Sequence, residues 1–347
     1  MKSNRKIGKH NVSLSELGFG TAPLGGLHNR ISEEAAETTL EAAWKAGVRY
    51  FDTAPWYGNG LSELRLGSCL RHYRRDEYVV STKVGRTFHR PLQLSSFCPE
   101  FWKGGLRLDY QFDYTYDGIM RAYEQSLMRL GIDSIDMLLI HDLDISEIGS
   151  QPQLESYFRD LEDSGWRALE LLRSTAEVKA VGAGVNILGT VPEMLQRFDL
   201  DFFLVAMPYT LINQEPLDLE FPLCERRDVA IVIGSPFASV ILATGVSHNA
   251  PQYNYADAPA WVIKKVKRIE VVCAQHKIPL AAAALQFPLR HPLVASVIPG
   301  AIAPQQISEN ARLLHIPIPE EFWRELRTQG LLREPAVNSE EIAANGT

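Results

Sequence analysis

Short runs rich in β-branched residues alternate with longer helix-forming segments along this chain, about eight times over. Such alternation predicts strand–helix–strand units whose strands lie parallel in one sheet. Eight units in succession predict a (β/α)8 barrel, the TIM-barrel form of the α/β class, because eight parallel strands close into a cylinder surrounded by helices. The predicted strands are residues 17–20, 48–52, 78–83, 135–141, 180–185, 202–207, 229–233 and 294–298.

Helix-forming segments fill the intervals between the predicted strands. Ser32 followed by Glu33 and Glu34 is typical of a helix N-terminus, and Gly47 marks the end of that helix. We expect the remaining helices at residues 62–73, 117–130, 154–174 (interrupted around Gly165), 191–198, 223–227, 261–276, 280–289 and 304–314. Because no linker separates these units, residues 1–347 are predicted to form a single domain with a flexible tail from about residue 334.

Composition and charge exclude several classes of function. The formal net charge is −7 and there is no basic stripe with interleaved aromatics, which argues against nucleic-acid binding. No apolar run is long enough to cross a bilayer, and the basic residues 1–9 lack the apolar segment of a secretory signal. The cysteines have neither metal-ligand nor C-x-x-C spacing, so we interpret them as reduced thiols of a cytoplasmic protein without a metal: Cys69, Cys98, Cys224 and Cys273.

Two intervals are too long for ordinary barrel connections: residues 85–115 after strand three and residues 239–260 after strand seven. Both leave the carboxyl ends of strands, where barrel enzymes build their active sites. Their aromatic residues are Phe88, Phe97, Phe101, Trp102, Tyr110, Phe112, Tyr114, Tyr253 and Tyr255. We expect at least one of the two segments to contact substrate and to close over the site. The alternative is that both only cap the barrel.

Three strands end on residues that carry charge or titrate. Asp52 ends strand two, Lys83 ends strand three and His141 ends strand four, while Tyr57 lies in the turn after strand two. In a barrel these strand ends converge on one mouth. Each residue alone has an ordinary alternative role, as a loop cap, a solvated strand end or a packing group. Together they indicate a catalytic group, because buried charges are costly unless they are paired.

The four side chains make sense as an acid/base set. A tyrosine titrates near 10, and a lysine within about 4–6 Å is expected to lower the pKa of Tyr57. Asp52 would hold the Lys83 ammonium in place, and a neutral His141 would donate to a substrate oxygen. The set contains no nucleophile and no metal ligands. It therefore predicts carbonyl/alcohol redox chemistry, with hydride transfer through a cofactor.

Residues 51–58, Phe-Asp-Thr-Ala-Pro-Trp-Tyr-Gly, resemble the F-D-T-A-x-x-Y-G signature of the aldo/keto reductases. Residues 126–131 with 135–141, 81–83 and 298–310 resemble further segments of that family, so the resemblance spans residues 12 to 315 or so. It implies an oxidoreductase with a complete catalytic tetrad, namely Asp52, Tyr57, Lys83 and His141. It also implies that substrate contacts Trp56, Tyr57 and His141.

The resemblance further implies a nicotinamide dinucleotide site formed by Asp52, Asn186, Ser235, Pro236, Phe237, Gly300, Gln306, Glu309 and Asn310. Many family members carry a Lys and an Arg that grip the 2′-phosphate of NADP, and the matching residues here are Gly300 and Gln306. Neither supplies a cation, so NAD is favoured over NADP. A nearby arginine, Arg290 or Arg312, is the remaining way to bind NADP.

Three other positions depart from the family pattern. Ala206 matches a common glutamine on strand six, and Gly234 matches the aromatic residue that packs under the nicotinamide. Asn186 follows Val185 where a serine is usual, so only the asparagine of that pair is left to bind the carboxamide. These differences concern the packing of the nicotinamide and leave the tetrad unchanged.

Residues 181–186 and 234–245 resemble the NAD-dependent aldose and pyridoxal dehydrogenases of the family. The resemblance implies oxidation of a cyclic hemiacetal, such as the ring form of L-fucose or D-arabinose, to a lactone. Three alternatives stay open: a pyridoxal 4-dehydrogenase, an NADPH-dependent aldehyde reductase, and a nucleotide-binding regulatory barrel without turnover. The sequence leaves the exact substrate, the physiological direction and the oligomeric state open.

Overall fold

A computed structural model describes residues 6–27, 29–99, 101–206, 208–247 and 251–333. Its main sheet has eight parallel strands that neighbour one another in chain order. They are β1 Phe19–Gly20, β2 Tyr50–Asp52, β3 Val79–Val84, β4 Met137–His141, β5 Ala180–Val185, β6 Phe202–Val205, β7 Ala230–Gly234 and β8 Val294–Ile298. The predicted tail from residue 334, and Met207 at the predicted end of strand six, lie outside the described residues.

The first and last strands meet and close the sheet. Leu17 bridges Val297 and Gly20 bridges Gly300, both in the parallel sense. The Gly18 amide donates to the Val297 carbonyl at 2.9 Å, and the Val297 amide donates to that of Glu16 at 2.9 Å. The predicted (β/α)8 barrel is therefore confirmed, with β1 shorter than predicted because closure uses isolated bridges at its start.

The helices surround the barrel much as the sequence predicts. Their bounds are Glu33–Lys45, Leu61–Leu70, Tyr116–Leu130, Ile145–Ile148, Gln151–Asp160, Trp166–Ser174, Thr190–Arg197, Glu220–Arg226, Ile241–Thr244, Ala260–His276, Leu280–Gln286, Pro304–Leu314 and Glu320–Thr328. The Ser32 side chain accepts a hydrogen bond from the Ala35 amide, as expected of an N-cap. The predicted interruption near Gly165 is a π-helical turn, Leu161–Gly165. Three helices have no predicted counterpart: Ile145–Ile148, Ile241–Thr244 and Glu320–Thr328.

The barrel interior is apolar and is closed at its amino-terminal end. A two-stranded hairpin, Lys6–Ile7 paired with Val12–Ser13, lies there. Ile7 and Val12 of the hairpin, and Leu14 directly after it, belong to the same buried cluster as the inward-facing strand residues, which include Tyr50, Met137, Leu139, Phe202, Leu204 and Val232. Since apolar packing fills this end, the polar strand-end residues lie at the opposite, carboxyl-terminal mouth.

The two long segments are partly ordered as hairpins. Arg86–His89 pairs with Asp109–Phe112 after β3, and Gln252–Tyr253 pairs with Ala256–Asp257 after β7. The first segment is also tied to the mouth, because Trp102 bridges Leu27 and the Leu106 amide donates to the Gly58 carbonyl at 2.8 Å. Within the described ranges, no helix has the length and apolar character needed to cross a bilayer.

Candidate active site

A buried ion pair lies at the base of the barrel mouth. Lys83 Nζ donates to Asp52 Oδ2 at 2.8 Å and to the Thr53 carbonyl at 2.7 Å. Asp52 Oδ1 accepts from Ser81 Oγ at 2.7 Å, since β2 and β3 pair with Asp52 opposite Ser81. Burial raises the pKa of Asp52, and the Lys83 charge opposes that rise. The two strand-end charges thus neutralise each other, as a buried pair requires.

Tyr57 lies directly above this pair. Lys83 Nζ is 4.6 Å from the centre of the Tyr57 ring, and within the described part of the chain the Tyr57 hydroxyl has no hydrogen-bond partner. The turn that carries Tyr57 needs Gly58, whose φ is 68° and whose added Cβ would lie 2.6 Å from the Gly25 carbonyl oxygen. The phenol is therefore free to meet a substrate at the mouth.

The pKa of Tyr57 differs from the sequence-based expectation. Burial raises the pKa of Tyr57 well above its ordinary value, and the charges of Asp52 and Asp142 raise it further. The expected net lowering of the Tyr57 pKa is therefore wrong for the free enzyme. The physical reason is that burial and the Asp52 charge outweigh the stabilising effect of the Lys83 ammonium, which is paired with Asp52.

His141 ends β4 beside Tyr57. The two rings stand edge to face with their centroids 5.8 Å apart. The Tyr114 hydroxyl donates to the His141 backbone carbonyl at 2.9 Å, which fixes this strand end. Burial lowers the pKa of His141 well below 6.5, and the Arg86 and Lys83 charges lower it further. His141 is therefore a neutral imidazole at neutral pH, as the sequence predicts.

Three aromatic side chains form a wall on one side of the mouth. The Trp56 ring is 5.3 Å from that of Trp102, 6.0 Å from that of Phe101 and 6.2 Å from that of His141, measured between centroids. Trp102 is 3% exposed, and its buried indole nitrogen has no partner among the described residues. The first long segment thus supplies two of the three rings beside the tetrad.

The sequence analysis missed two charged residues at this mouth. Arg86 follows β3 and is 1% exposed, and Asp142 follows His141 directly. Both terminal nitrogens of the Arg86 guanidinium donate to Asp142 Oδ2 at 3.4 Å, and one of them also donates to Glu147 Oε1 at 2.6 Å. A signal was available, because each residue lies within three positions of a predicted tetrad member.

The predicted nicotinamide contacts lie at the carboxyl ends of β5 and β7, with β6 between them. Asn186 lies one residue past β5 and donates from Nδ2 to Asp142 Oδ1 at 2.8 Å. Ser235 follows β7 in a left-handed conformation, with φ at 50°. Pro236 is buried and Phe237 half-buried in the same turn. An added Cβ on Gly234 would lie 3.1 Å from Leu204 Cδ2, which shows how little space a side chain would have there.

The predicted phosphate and adenine contacts lie at and after the end of β8. Gln306 Oε1 accepts from the Ile302 amide at 2.7 Å, and Asn310 is buried on the following helix. Glu309 forms a two-bond ion pair with Arg312, at 2.7 and 2.8 Å. Gly300 has no space for a side chain, because an added Cβ would lie 2.6 Å from Pro23 Cγ. Arg290, the other candidate cation, donates to both carboxylate oxygens of Glu320 at 2.8 and 2.9 Å.

The aldo/keto reductase family model matches residues 16–329 of this chain. The chain belongs to the aldo/keto reductase family. It is 39% identical to a pyridoxal 4-dehydrogenase from Microbacterium luteolum, over 94% of this chain and 97% of that protein. It is 37% identical to a D-threo-aldose 1-dehydrogenase from a Pseudomonas species, over 93% of this chain and 96% of that protein.

A solved structure shares the fold. The holo form of an aldo-keto reductase from Bacillus halodurans superposes with a TM-score of 0.73, covering 96% of this chain and 98% of that one at 24% identity. The family and the named dehydrogenases identify this aldo/keto reductase as an oxidoreductase enzyme.

Proposed function

We propose that this aldo/keto reductase oxidises a cyclic hemiacetal to a lactone, with NAD as its hydride acceptor. One observation carries the proposal. The Tyr57 hydroxyl, which has no hydrogen-bond partner among the described residues, lies beside the neutral His141 ring and directly above the buried Lys83–Asp52 pair. His141 Nε2 itself lies 3.1 Å from Asp142 Oδ2. Two adjacent polar groups at the mouth are suited to hold one substrate oxygen from two sides.

The residues at the ends of β5, β7 and β8 fit a nicotinamide dinucleotide. The Asn186 amide nitrogen is engaged by Asp142, so its carbonyl oxygen is left to accept from a carboxamide. The helix Pro304–Leu314 starts with no side-chain cap, and Gln306 and Asn310 lie on it. A nicotinamide nucleotide held by these residues, with Asp52, Ser235, Pro236, Phe237, Gly300 and Glu309 around it, would accept the hydride from the substrate carbon.

The chain's own residues handle the proton. Tyr57 Oη takes the proton of the anomeric hydroxyl while the carbon loses hydride, so the carbon–oxygen single bond becomes the lactone carbonyl. His141 donates to that oxygen as it becomes a carbonyl and holds it in place. Lys83, fixed by Asp52, lies where it stabilises the phenolate state that Tyr57 needs before it can accept a proton. Because burial raises the pKa of Tyr57, its hydroxyl is mostly protonated at neutral pH. The fraction of phenolate therefore grows as the pH rises.

The aromatic wall supports a substrate with a flat face. The half-buried Trp56 and the exposed Phe101 offer ring surfaces that suit the apolar face of a sugar or a pyridine ring, while the buried Trp102 packs against Trp56 and Tyr57. The two relatives are named for pyridoxal and for D-threo-aldoses. Both kinds of molecule carry an aldehyde and a hydroxyl that close into a cyclic hemiacetal. An aldose such as L-fucose or D-arabinose is the first candidate, and pyridoxal is the second.

Two contacts support NAD over NADP. The 2′-phosphate of NADP needs cations, and Gly300 and Gln306 supply none. Arg312 and Arg290 are each held by a carboxylate, from Glu309 and Glu320 respectively. Moving either arginine onto a phosphate would leave its carboxylate partner behind.

One observation favours the aldehyde reductase alternative. A phenol whose pKa is raised is protonated at neutral pH, and a protonated Tyr57 is ready to donate to a carbonyl oxygen in the reducing direction. This direction would use the same four side chains. The choice between the two functions therefore depends on substrate and cofactor.

The test is a panel of L-fucose, D-arabinose, other aldoses and pyridoxal, each with NAD and with NADP, followed at the absorbance of the reduced nicotinamide. We expect NAD reduction with at least one hemiacetal, and a lactone among the early products. Consumption of simple aldehydes with NADPH, without any oxidation in the panel, would establish the reductase instead. Nucleotide binding without turnover of any compound would indicate a regulatory barrel.

A further inference from the structure

Arg86 lies buried behind the mouth, where aromatic rings and carboxylates surround its guanidinium. Its guanidinium carbon lies 4.9 Å from the Trp56 ring centre and 4.8 Å from that of Phe112, and one terminal nitrogen donates to Glu147 at 2.6 Å. A buried guanidinium keeps its charge in proteins and needs carboxylates around it. Arg86 is therefore a fixed positive charge directly behind the substrate-facing Trp56.

The Asp142 carboxylate joins this arginine to two predicted site residues. Oδ2 accepts from Arg86 at 3.4 Å and lies 3.1 Å from His141 Nε2. Oδ1 accepts from Asn186 Nδ2 at 2.8 Å. Asp142 adopts a left-handed conformation, with φ at 47°, which few residues other than glycine, asparagine and aspartate tolerate. One carboxylate thus contacts both the imidazole at the end of β4 and the amide at the end of β5.

We propose that Arg86 and Asp142 are positioning residues. The Asp142 carboxylate fixes His141 and Asn186 relative to each other. The Arg86 guanidinium binds that carboxylate and neutralises its charge, so that the His141 Nε2–H stays available to substrate. This inference rests on the proposed role of His141. Neither residue touches the reacting atoms. Both act through the two side chains they hold.

The groups facing the His141 ring explain why Arg86 matters. Lys83 approaches from β3, Tyr57 and Trp56 from the turn after β2, Arg86 from the hairpin after β3, and Asp142 from the chain next to His141 itself. Burial, Arg86 and Lys83 all lower the pKa of His141. Without Arg86, the Asp142 carboxylate would remain beside Nε2 with no cation on it and would favour the imidazolium. A charged ring would pair with Asp142 and turn its Nε2–H away from the substrate.

The experiment uses Arg86→Met, the double variant Arg86→Met with Asp142→Asn, and Arg173→Met as a matched control. Asparagine keeps the shape of aspartate and tolerates the left-handed backbone. Arg173 is a buried arginine at the amino-terminal end of the barrel, paired with Asp199 and Asp201. Two quantities are measured: the titration of His141 by NMR in the free enzyme, with its signal identified by His141→Gln, and kcat/KM at pH 6 and pH 8.

We expect His141 to stay neutral through pH 6 in the wild type and in Arg173→Met. In Arg86→Met its pKa should rise toward the ordinary value, because the Asp142 carboxylate then favours the imidazolium while burial and Lys83 still oppose it. At the ordinary pKa near 6.5, about three quarters of the rings are protonated at pH 6. Arg86→Met should therefore lose up to about a further fourfold in kcat/KM between pH 8 and pH 6, relative to the wild type. The double variant should recover the wild-type ratio, because no carboxylate is left beside His141 Nε2.

Two results would overturn the inference. One is an unchanged His141 titration in Arg86→Met, which would make Arg86 a structural residue only, whatever its effect on turnover. The other is an additional loss of kcat/KM at pH 6 that persists in the double variant. The NMR titration needs neither substrate nor cofactor, so it remains informative if the proposed hemiacetal oxidation fails. Loss of folding in Arg86→Met with recovery in the double variant would still support the charge coupling, whereas loss in both would overturn it.

Discussion

Lys83 Nζ lies 2.8 Å from Asp52 Oδ2, and each of the two side chains is 2% exposed. The pair is therefore both a structural element of the barrel and the support on which Tyr57 rests. A single substitution at this pair has two consequences, one for stability and one for turnover, and they can be measured separately.

Lys83→Met is expected to destabilise the protein as well as to inactivate it. Removing one partner of a buried pair leaves an uncompensated charge and costs about 3–5 kcal/mol in the free energy of unfolding. The double variant Lys83→Met with Asp52→Asn removes both charges and should recover most of that stability while remaining inactive. Urea unfolding and the rate of NAD reduction measure the two effects. A Lys83→Met variant as stable as the wild type would contradict the buried pair.

Tyr57→Phe should lower kcat by about 10²–10⁴-fold, the range for the loss of a general acid/base. Its stability should be unchanged, because the hydroxyl has no hydrogen-bond partner in the described part of the chain. NAD affinity, measured by quenching of tryptophan fluorescence, should change little. Tyr123→Phe is the control, since Tyr123 is a buried tyrosine on the outer helix Tyr116–Leu130. A Tyr57→Phe variant that keeps most of its rate would rule out the proposed role.

The oxidation rate should depend on pH in one direction only. The lowered pKa of His141 means that the ring is already neutral at pH 6, so no inflection is expected near 6.5. The raised pKa of Tyr57 means that the phenolate fraction grows up to tenfold per pH unit from about pH 6 to pH 10. Measured kcat/KM for oxidation should rise across this range. A fall below pH 7 that disappears in His141→Asn would show that His141 titrates normally.

NAD should give a higher kcat/KM than NADP, and Gln306→Arg should improve use of NADP by about ten- to a hundredfold, since one charge-assisted hydrogen bond contributes about 1.5–3 kcal/mol. Gln306→Met is the matched control, because it also loses the bond to the Ile302 amide but adds no charge. Gly300→Lys is less suitable, since its Cβ would collide with Pro23. A strong preference of the wild type for NADP would disprove the cofactor assignment.

The sequence by itself determined that Asp52, Lys83 and His141 reach the mouth. The period of β-branched runs predicts parallel strands in chain order, and closure of such strands puts their carboxyl ends on one face. Asp52, Lys83 and His141 are the last or nearly the last residues of β2, β3 and β4, so their proximity follows from local pattern alone. The N-cap at Ser32 and the interruption of a helix near Gly165 are local features of the same kind, and both follow from the sequence, although the π-helical form of the interruption does not.

The tertiary structure decided the pKa values of those residues and which charged groups they contact. The pKa of Tyr57 is raised rather than lowered because burial and the Asp52 charge act through space, and neither distance nor dielectric is encoded in spacing along the chain. The contact of Asp142 with Asn186 joins residues 44 positions apart, and that of Arg86 with Glu147 joins residues 61 apart. Local sequence fixes the direction of each strand and helix. Which charges meet across the mouth depends on packing between elements that are far apart in the chain.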